Sequence, residues 1–338
     1  MQNVYSLFMK PNKFLTLALA VMGAGMIQWS CSKNEDSIEP VQQDPNAPKG
    51  QVRIGVTDAP IDNAEVKGAF VTITEVRVDG RVFDAFKGPK TINIAELNNG
   101  NFLTLGEGQL QAGTYSKLTF FFDYEKDASG NAPGTYILKA DGTKSKLVIS
   151  GNARNYLDLN TKPFTINQDG TTDLMVDFDL RKAIKTFNEN AQKQYSFVTY
   201  GELQSSIRVV NKTATGTISG QVSGYNSATM GNVVAFVYKK GEFNQNVETK
   251  GQGESAVEFK NAVSSAKVDA AGNFKVSFLE EGDYEIHFAS FKSSGEANSS
   301  VALNSFLNLS GNLDLTKLSV KSSTEVRLSL SVKGFLGL

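Results

Sequence analysis

From Gln51 onward the chain keeps a period of two: Val52, Ile54 and Val56 alternate with Arg53 and Gly55, and Leu118, Phe120 and Phe122 repeat the pattern. Successive side chains of a strand point to opposite faces, so such runs predict half-buried β-strands. Between Ala69 and Val78 the phase slips, with Val71 and Ile73 on one parity and Val76 and Val78 on the other. One extra residue near Thr74-Glu75, a bulge or edge bend, restores a single apolar face. Further strands are expected at Leu147 to Ile149, Phe164 to Asn167 and Leu174 to Leu180. Asp141-Gly142, Ser150-Gly151 and Asp169-Gly170 separate them as turns, Asp-Gly being a strong hairpin signal. Leu180, Ile184 and Phe187 lie at helical spacing in a stretch without Gly or Pro, so one short helix is expected from Leu180 to Tyr195. The polar connector Asn211 to Thr215 separates two strand-rich blocks.

Ahead of these blocks, Lys10 and Lys13 precede an uncharged apolar run from Phe14 to Ile27, followed by Gln28-Trp29-Ser30-Cys31. That order is an export signal, and the run is too short for a membrane span. Met9 opens a tighter version of it, so translation starts at Met1 or Met9. Ser30-Cys31 resembles a bacterial lipoprotein box, which implies diacylation of Cys31. Gln28 and Trp29 depart from its preferred residues, and ordinary cleavage with a free thiol is the alternative. Acyl chains on Cys31 would suffice for stable anchoring. Ser32-Lys33-Asn34-Glu35-Asp36 resembles the acidic signals that send lipoproteins of Bacteroidetes-type bacteria to the cell surface; a plain solvated tether is the alternative. Asp36-Ser37-Ile38 also resembles an O-glycosylation triplet of such bacteria. With Pro40, Pro45 and Pro48 and no aromatic residue, the segment up to Gly50 reads as a disordered leash of about 25 Å.

The balance of 34 basic and 35 acidic side chains offers nothing to a nucleic acid. Loss of Lys10 and Lys13 with the leader moves the formal charge from -1 to -3. One Cys and one His leave no internal disulfide and no Cys/His zinc cluster. The single Trp leaves with the leader, so sugar stacking would fall to Tyr or Phe. No Gly-rich phosphate loop opens a helix, and no cofactor is expected.

Thr57-Asp58-Ala59-Pro60, then Leu110 to Tyr115, then Leu174-Met175-Val176-Asp177-Phe178-Asp179-Leu180 together resemble a family of unknown function found in secreted bacterial lipoproteins. The resemblance covers about residues 50 to 210 and implies no activity. The second block, with Gly216 to Val222, Asp269 to Phe274 and Leu279 to Tyr284, is similar to carboxypeptidase-regulatory or transthyretin-like β-sandwiches, which are non-catalytic. Inserts at Lys239 to Lys260 and Phe291 to Asn312 depart from that pattern and are candidates for partner-facing loops. Leu-x-x-Gly-[Thr/Asp]-Tyr occurs in both blocks, at Leu110 to Tyr115 and Leu279 to Tyr284. Each is expected to place a tyrosine ring in the core and its hydroxyl near the surface. The fold class expected is therefore all-β: two tandem β-sandwich domains of immunoglobulin or transthyretin-like type, over residues 51–212 and 213–338. A lipoprotein signal peptide at 1–30 and a tether at 31–50 precede them.

The candidate chemistry is carboxylate chemistry. An Asx turn at Asp58 would take its hydrogen bond from residue 60, which is proline, so Asp58 needs the N–H of Ile61 or Asp62, or a cation. Calcium asks for six or more oxygens, which spacing does not assemble, and no metal is expected. Asp177 and Asp179 share a strand face about 7 Å apart, opposite Val176, Phe178 and Leu180. They read as a wet face, and a hydrolase would need them to meet Asp58 in one cleft. His287 alternates outward from Tyr284, Ile286 and Phe288 and reads as a solvated side chain. The function expected is a lipid-anchored outer-membrane or cell-surface lipoprotein that is not an enzyme. Its partners would be the membrane, through Cys31, and an extracellular glycan or protein. A fimbrial or other structural surface subunit is the alternative, and a carboxylate-dependent hydrolase the third reading.

Overall fold

In the computed structural model, residues 44–59, 65–151, 154–189, 192–293 and 301–337 are described. The leader, Cys31, the acidic segment and Ile61 and Asp62 lie outside the described residues. Strand Lys49–Ala59 runs parallel to Thr171–Asp179 and antiparallel to Leu103–Gln111, and Ile207–Asn211 completes a four-stranded sheet. The expected tether thus ends inside the sheet: Lys49 and Gly50 are already paired, and Ala112 N–H donates to Pro48 O. A second sheet carries Val66–Val78, Gly113–Asp123 and Tyr156–Ile166. Val52, Ile54 and Val56 from one sheet meet Val71, Ile73, Leu118 and Phe120 from the other in one apolar cluster, each fully buried. The face-to-face packing is a β-sandwich.

The bulge falls where the phase slips. The register of Val66–Val78 against Gly113–Asp123 shifts between Ile73 and Glu75, and Val71, Ile73, Val76 and Val78 are all buried as a result. The turns are more varied than expected. Asp141-Gly142 closes a hairpin between Tyr136–Lys139 and Lys144–Lys146. Asp169-Gly170 instead carries the chain from one sheet to the other, with Asp169 at φ +57. Ser150-Gly151 closes no hairpin either, since Ile149–Ser150 pairs in parallel with Gln192–Thr199.

The helix expected from Leu180 to Tyr195 is reduced to one turn, Leu180–Ala183, capped by Asp179, whose side chain accepts from Lys182 N–H. Ile184–Glu189 and Gln192–Thr199 then form an antiparallel pair. Ile184, Thr186, Phe187, Tyr195 and Phe197 are β-formers, and burial of Ile184, Tyr195 and Phe197 outweighs the helical spacing. A helix does follow at Tyr200–Ser205, behind a capping box of Thr199 and Glu202. Its Thr-x-x-Glu signature is legible in the sequence.

In the second block the strands form one continuous sheet in which Thr215–Ser223 is parallel to Glu325–Leu336. The sheet folds over a core of Ile218, Val237, Tyr284, Ile286 and Leu328. Strand Asn232–Lys239 is buried on both faces: Val233, Ala235 and Val237 enter that core, while Val234, Phe236 and Tyr238 enter a second one with Phe259, Phe291 and Phe306. A continuous apolar run is what a doubly covered strand requires. The insert after Lys239 supplies the second cover, Phe259 stacking on Phe236 at 4.1 Å between centroids. It is therefore a packed lobe rather than a free loop. The later insert is largely strand, Val301–Gly311 lying between Gly282–Ser293 and Glu325–Leu336.

The two Leu-x-x-Gly-x-Tyr segments adopt the same arrangement. Tyr115 Oη donates to Gln111 O at 2.7 Å and Tyr284 Oη to Glu280 O at 2.6 Å, with both rings buried. A buried ring tied back to the strand four residues upstream locks the corner between two strands.

Candidate functional site

Parallel pairing of Lys49–Ala59 with Thr171–Asp179 sets Thr57 against Asp177, Asp58 against Phe178 and Ala59 against Asp179. The three candidate carboxylates therefore converge. They are not a wet face: Asp58, Asp177 and Asp179 are 6%, 3% and 4% exposed. The second block covers them. Met175, on the same side of the strand, packs with Val210 and Phe278. Phe278, on the strand Asn273–Glu280 of the second block, sits at φ +58, rare for an aromatic residue, and the carbonyls of Ser277 and Phe278 accept from Arg208.

Arg208 is the central cation of the seam. Its Nε and Nη2 reach Asp177 Oδ2 at 2.8 and 2.6 Å, while Nη1 donates to Phe278 O at 2.7 Å and Nη2 to Ser277 O at 3.3 Å. Asp179 Oδ2 pairs with Arg181 Nη2 and Lys182 Nζ, both at 3.1 Å. Those two cations also reach across: Lys182 Nζ donates to Ala262 O at 2.8 Å and Arg181 Nη1 to Glu258 O at 2.6 Å. Glu202, at the head of its short helix, accepts from Ser255 N–H at 3.0 Å and from Ser255 Oγ–H at 2.5 Å. Val257 of the insert joins the apolar cluster of the first block. The insert expected to face a partner instead braces the two blocks.

The charges respond to this burial. Asp58 lies well above the ordinary carboxylate range, through burial and then through repulsion from Asp177 and Asp179. Burial also raises Asp177, with Asp179 adding to it and Arg208 opposing. Burial alone would raise Asp179, but Arg181 and Lys182 outweigh it and hold the group below its usual value. Asp58 Oδ1 accepts from Leu180 N–H at 3.3 Å, a donor 122 residues away that no local turn rule supplies.

Convergence does not make a catalytic cleft. The cavity at Asp58 measures about 10 Å³, far below any substrate. On the other side of Asp177 and Asp179 is a pocket of about 260 Å³, where Lys182 and Arg208 already pair with both carboxylates. A paired carboxylate is a poor base.

A larger groove, about 480 Å³, lies on the outer face of the second block. Register places Lys275, Ser219 and Arg327 in one row across three strands and Asn273, Gln221 and Ser329 in the next. Asn99, at φ +54 in a loop of the first block, forms the rim. Such a grid offers hydrogen bonds and two cations, Arg327 being paired with Glu325 at 2.8 Å; Asp269 and the buried Phe274 also line it. The sequence reading named a strand-rich second block but not that these polar faces adjoin, because register between distant strands is set by tertiary pairing.

His287 is also not the solvated side chain expected. Phe243 of the insert stacks on it at 3.8 Å, and Glu285 Oε2 lies 3.2 Å from Nε2. Burial lowers its pKa, with Glu285 opposing.

No curated protein matches the chain. Among solved structures it is similar to the minor pilin GBS52 of Streptococcus agalactiae, at 12% identity over 83% of this chain and 94% of that one, TM-score 0.19. The major pilin subunit BcpA of Bacillus cereus aligns at 13% identity over 84% and 70%, TM-score 0.18. The Bacillus anthracis TIE protein aligns at 12% identity over 85% of this chain, TM-score 0.17, and the chain spans about a third of its length. Likeness at this level carries no functional argument. Residues 49–198 match a family described as a domain of unknown function, DUF4382, which ends earlier than the expected position near 210.

Proposed function

We propose that the chain is a lipid-anchored cell-surface protein with a non-catalytic binding or adhesive role, held to the membrane through Cys31. The observation that carries the binding reading is the groove beside the junction of the two blocks. Lys275, Arg327, Gln221 and Asn273 present unlike polar groups side by side on a rigid sheet. The carboxylates that could have supported hydrolysis are committed to the seam, which supports a rigid scaffold rather than an enzyme. An extracellular glycan or a polar protein segment suits the hydrogen-bonding groups of the groove. A fimbrial or other structural surface subunit is the second reading, and the tyrosine corners and the Arg208 seam favour mechanical stiffness in either case.

Intact-mass analysis of the protein from native membranes, paired with protease shaving of whole cells, tests the anchoring and the location. The expected result is a mass beginning at acylated Cys31 and loss of the protein on shaving. A mass beginning well past Gly50 would replace this reading with a trimmed fimbrial precursor. Acylated protein that resists shaving would remove the adhesive role. Binding is tested on glycan and matrix-protein arrays, where Arg327→Ala with Lys275→Ala should abolish any signal tied to the groove.

A further inference from the structure

A second, smaller feature of the seam points to a ligand of its own. Thr57, Asp58 and Asp177 of the first block and Ser265 and Ser277 of the second surround the 10 Å³ cavity, room for one water-sized occupant. Asp58 Oδ2, Ser265 Oγ and Ser277 Oγ are all buried there without a hydrogen-bond partner. Asp58 and Ser265 are themselves 6% and 4% exposed. Buried polar atoms are ordinarily paired, and three that converge on one small space call for an occupant that satisfies all three.

The surroundings select its charge. Every carboxylate neighbour of Asp58 at the seam already has a cation of its own: Arg208 on Asp177, and Arg181 and Lys182 on Asp179. Asp58 has none and feels both acids as repulsion, on top of desolvation. Lys275, which also borders the cavity, lies on its exposed side. We propose that this cavity binds one hard monovalent cation, Na⁺, through Asp58 Oδ2 and the hydroxyl oxygens of Ser265 and Ser277. Carboxylate and hydroxyl oxygens are the ligands of such ions rather than of zinc or copper. Among the described residues, no group of three or more His, Cys, Asp or Glu side chains is placed to hold a metal. Because Asp58 comes from one block and both serines from the other, the bound ion clips the seam shut. This inference is independent of the groove and of the lipid anchor.

Thermal unfolding of the full mature chain tests it, with NaCl, CaCl₂ and choline chloride compared at equal ionic strength and neutral pH. A saturable rise in Tm of about 5 °C over choline is expected with Na⁺. A rise with Ca²⁺ alone would overturn the assignment to Na⁺. Asp58→Asn should fold, since an amide replaces a disfavoured acid, and should lose the cation response. Ser265→Ala with Ser277→Ala should weaken the half-saturating concentration about tenfold, and Lys275→Gln should tighten it. Identical Tm values in all three salts would overturn the proposal, as would a cation response that survives in Asp58→Asn. A crystal structure with a water bonded to all three oxygens, together with no salt specificity, would assign the cavity to structural solvent instead.

Discussion

Arg208→Met should be the most damaging single change at the seam that leaves both cores intact. Asp177 is 3% exposed, and Arg208 gives it two contacts, at 2.8 and 2.6 Å. Methionine keeps the stem and removes the charge, leaving a buried carboxylate with Asp179 as a repulsive neighbour. Breaking a buried pair on one side costs about 3–5 kcal/mol. The carbonyls of Ser277 and Phe278 lose their donor as well, which adds to the loss. At roughly 2–4 °C per kcal/mol for a chain of this size, Tm should fall by about 10 °C. The assay is urea unfolding at neutral pH followed by circular dichroism, with Asp177→Asn and the double variant alongside. Asp177→Asn removes the stranded charge, so the double variant should recover at least about 2 kcal/mol relative to the sum of the singles. A loss below about 1 kcal/mol for Arg208→Met, or strict additivity in the cycle, would refute the assignment of Arg208 as the partner that makes burial of Asp177 tolerable.

Val257→Ala should cost about 2 kcal/mol, because this insert residue is buried in the first block's apolar cluster, and thermal unfolding reads the loss. An unchanged Tm would mean that the lobe does not brace the blocks. Glu202 tests the same contact by pH. Burial would raise it, but bonds from Ser255 and Thr199 bring it down to about 2 from an ordinary 4.5. A lowered folded pKa contributes stability above pH 4.5 that is lost as pH falls toward 2. Glu202→Gln should flatten that part of the acid unfolding curve, and an identical slope would contradict the assignment. Tyr115→Phe should cost about 1 kcal/mol in urea unfolding by deleting one hydroxyl bond, and Tyr284→Phe at least as much, because its hydroxyl also accepts from Lys239 Nζ; no loss in either variant would contradict the corner assignment.

Much of the fold was legible because its signals are local. Alternation at Val52, Ile54 and Val56 and at Leu118, Phe120 and Phe122 needs only the pleat, and the phase slip at Thr74-Glu75 marks the bulge on the same ground. The tyrosine corners were readable as two copies of a six-residue pattern. Misreadings came where local preference competed with partners far along the chain. The spacing of Leu180, Ile184 and Phe187 suits a helix, but pairing with Gln192–Thr199 converts all but one turn to strand. The Lys239–Lys260 insert has a loop's composition, yet Phe243, Val257 and Phe259 pack it down.

The sequence by itself determined an all-β chain, its strand faces and the residue types available for chemistry, since these depend on periodicity and composition. Only the tertiary structure decided what the carboxylates do. Asp177 and Asp179 alternate as a solvent face would, and nothing within reach of a local rule says that a second block will cover them. Parallel pairing brings Asp58 beside them, Arg208 arrives from 31 residues beyond Asp177, and Ser265 and Ser277 come from the other block. Burial and charge pairing are sums over neighbours in space, so the same three acids could have been a wet face, a catalytic pair or a locked seam until the strands were placed.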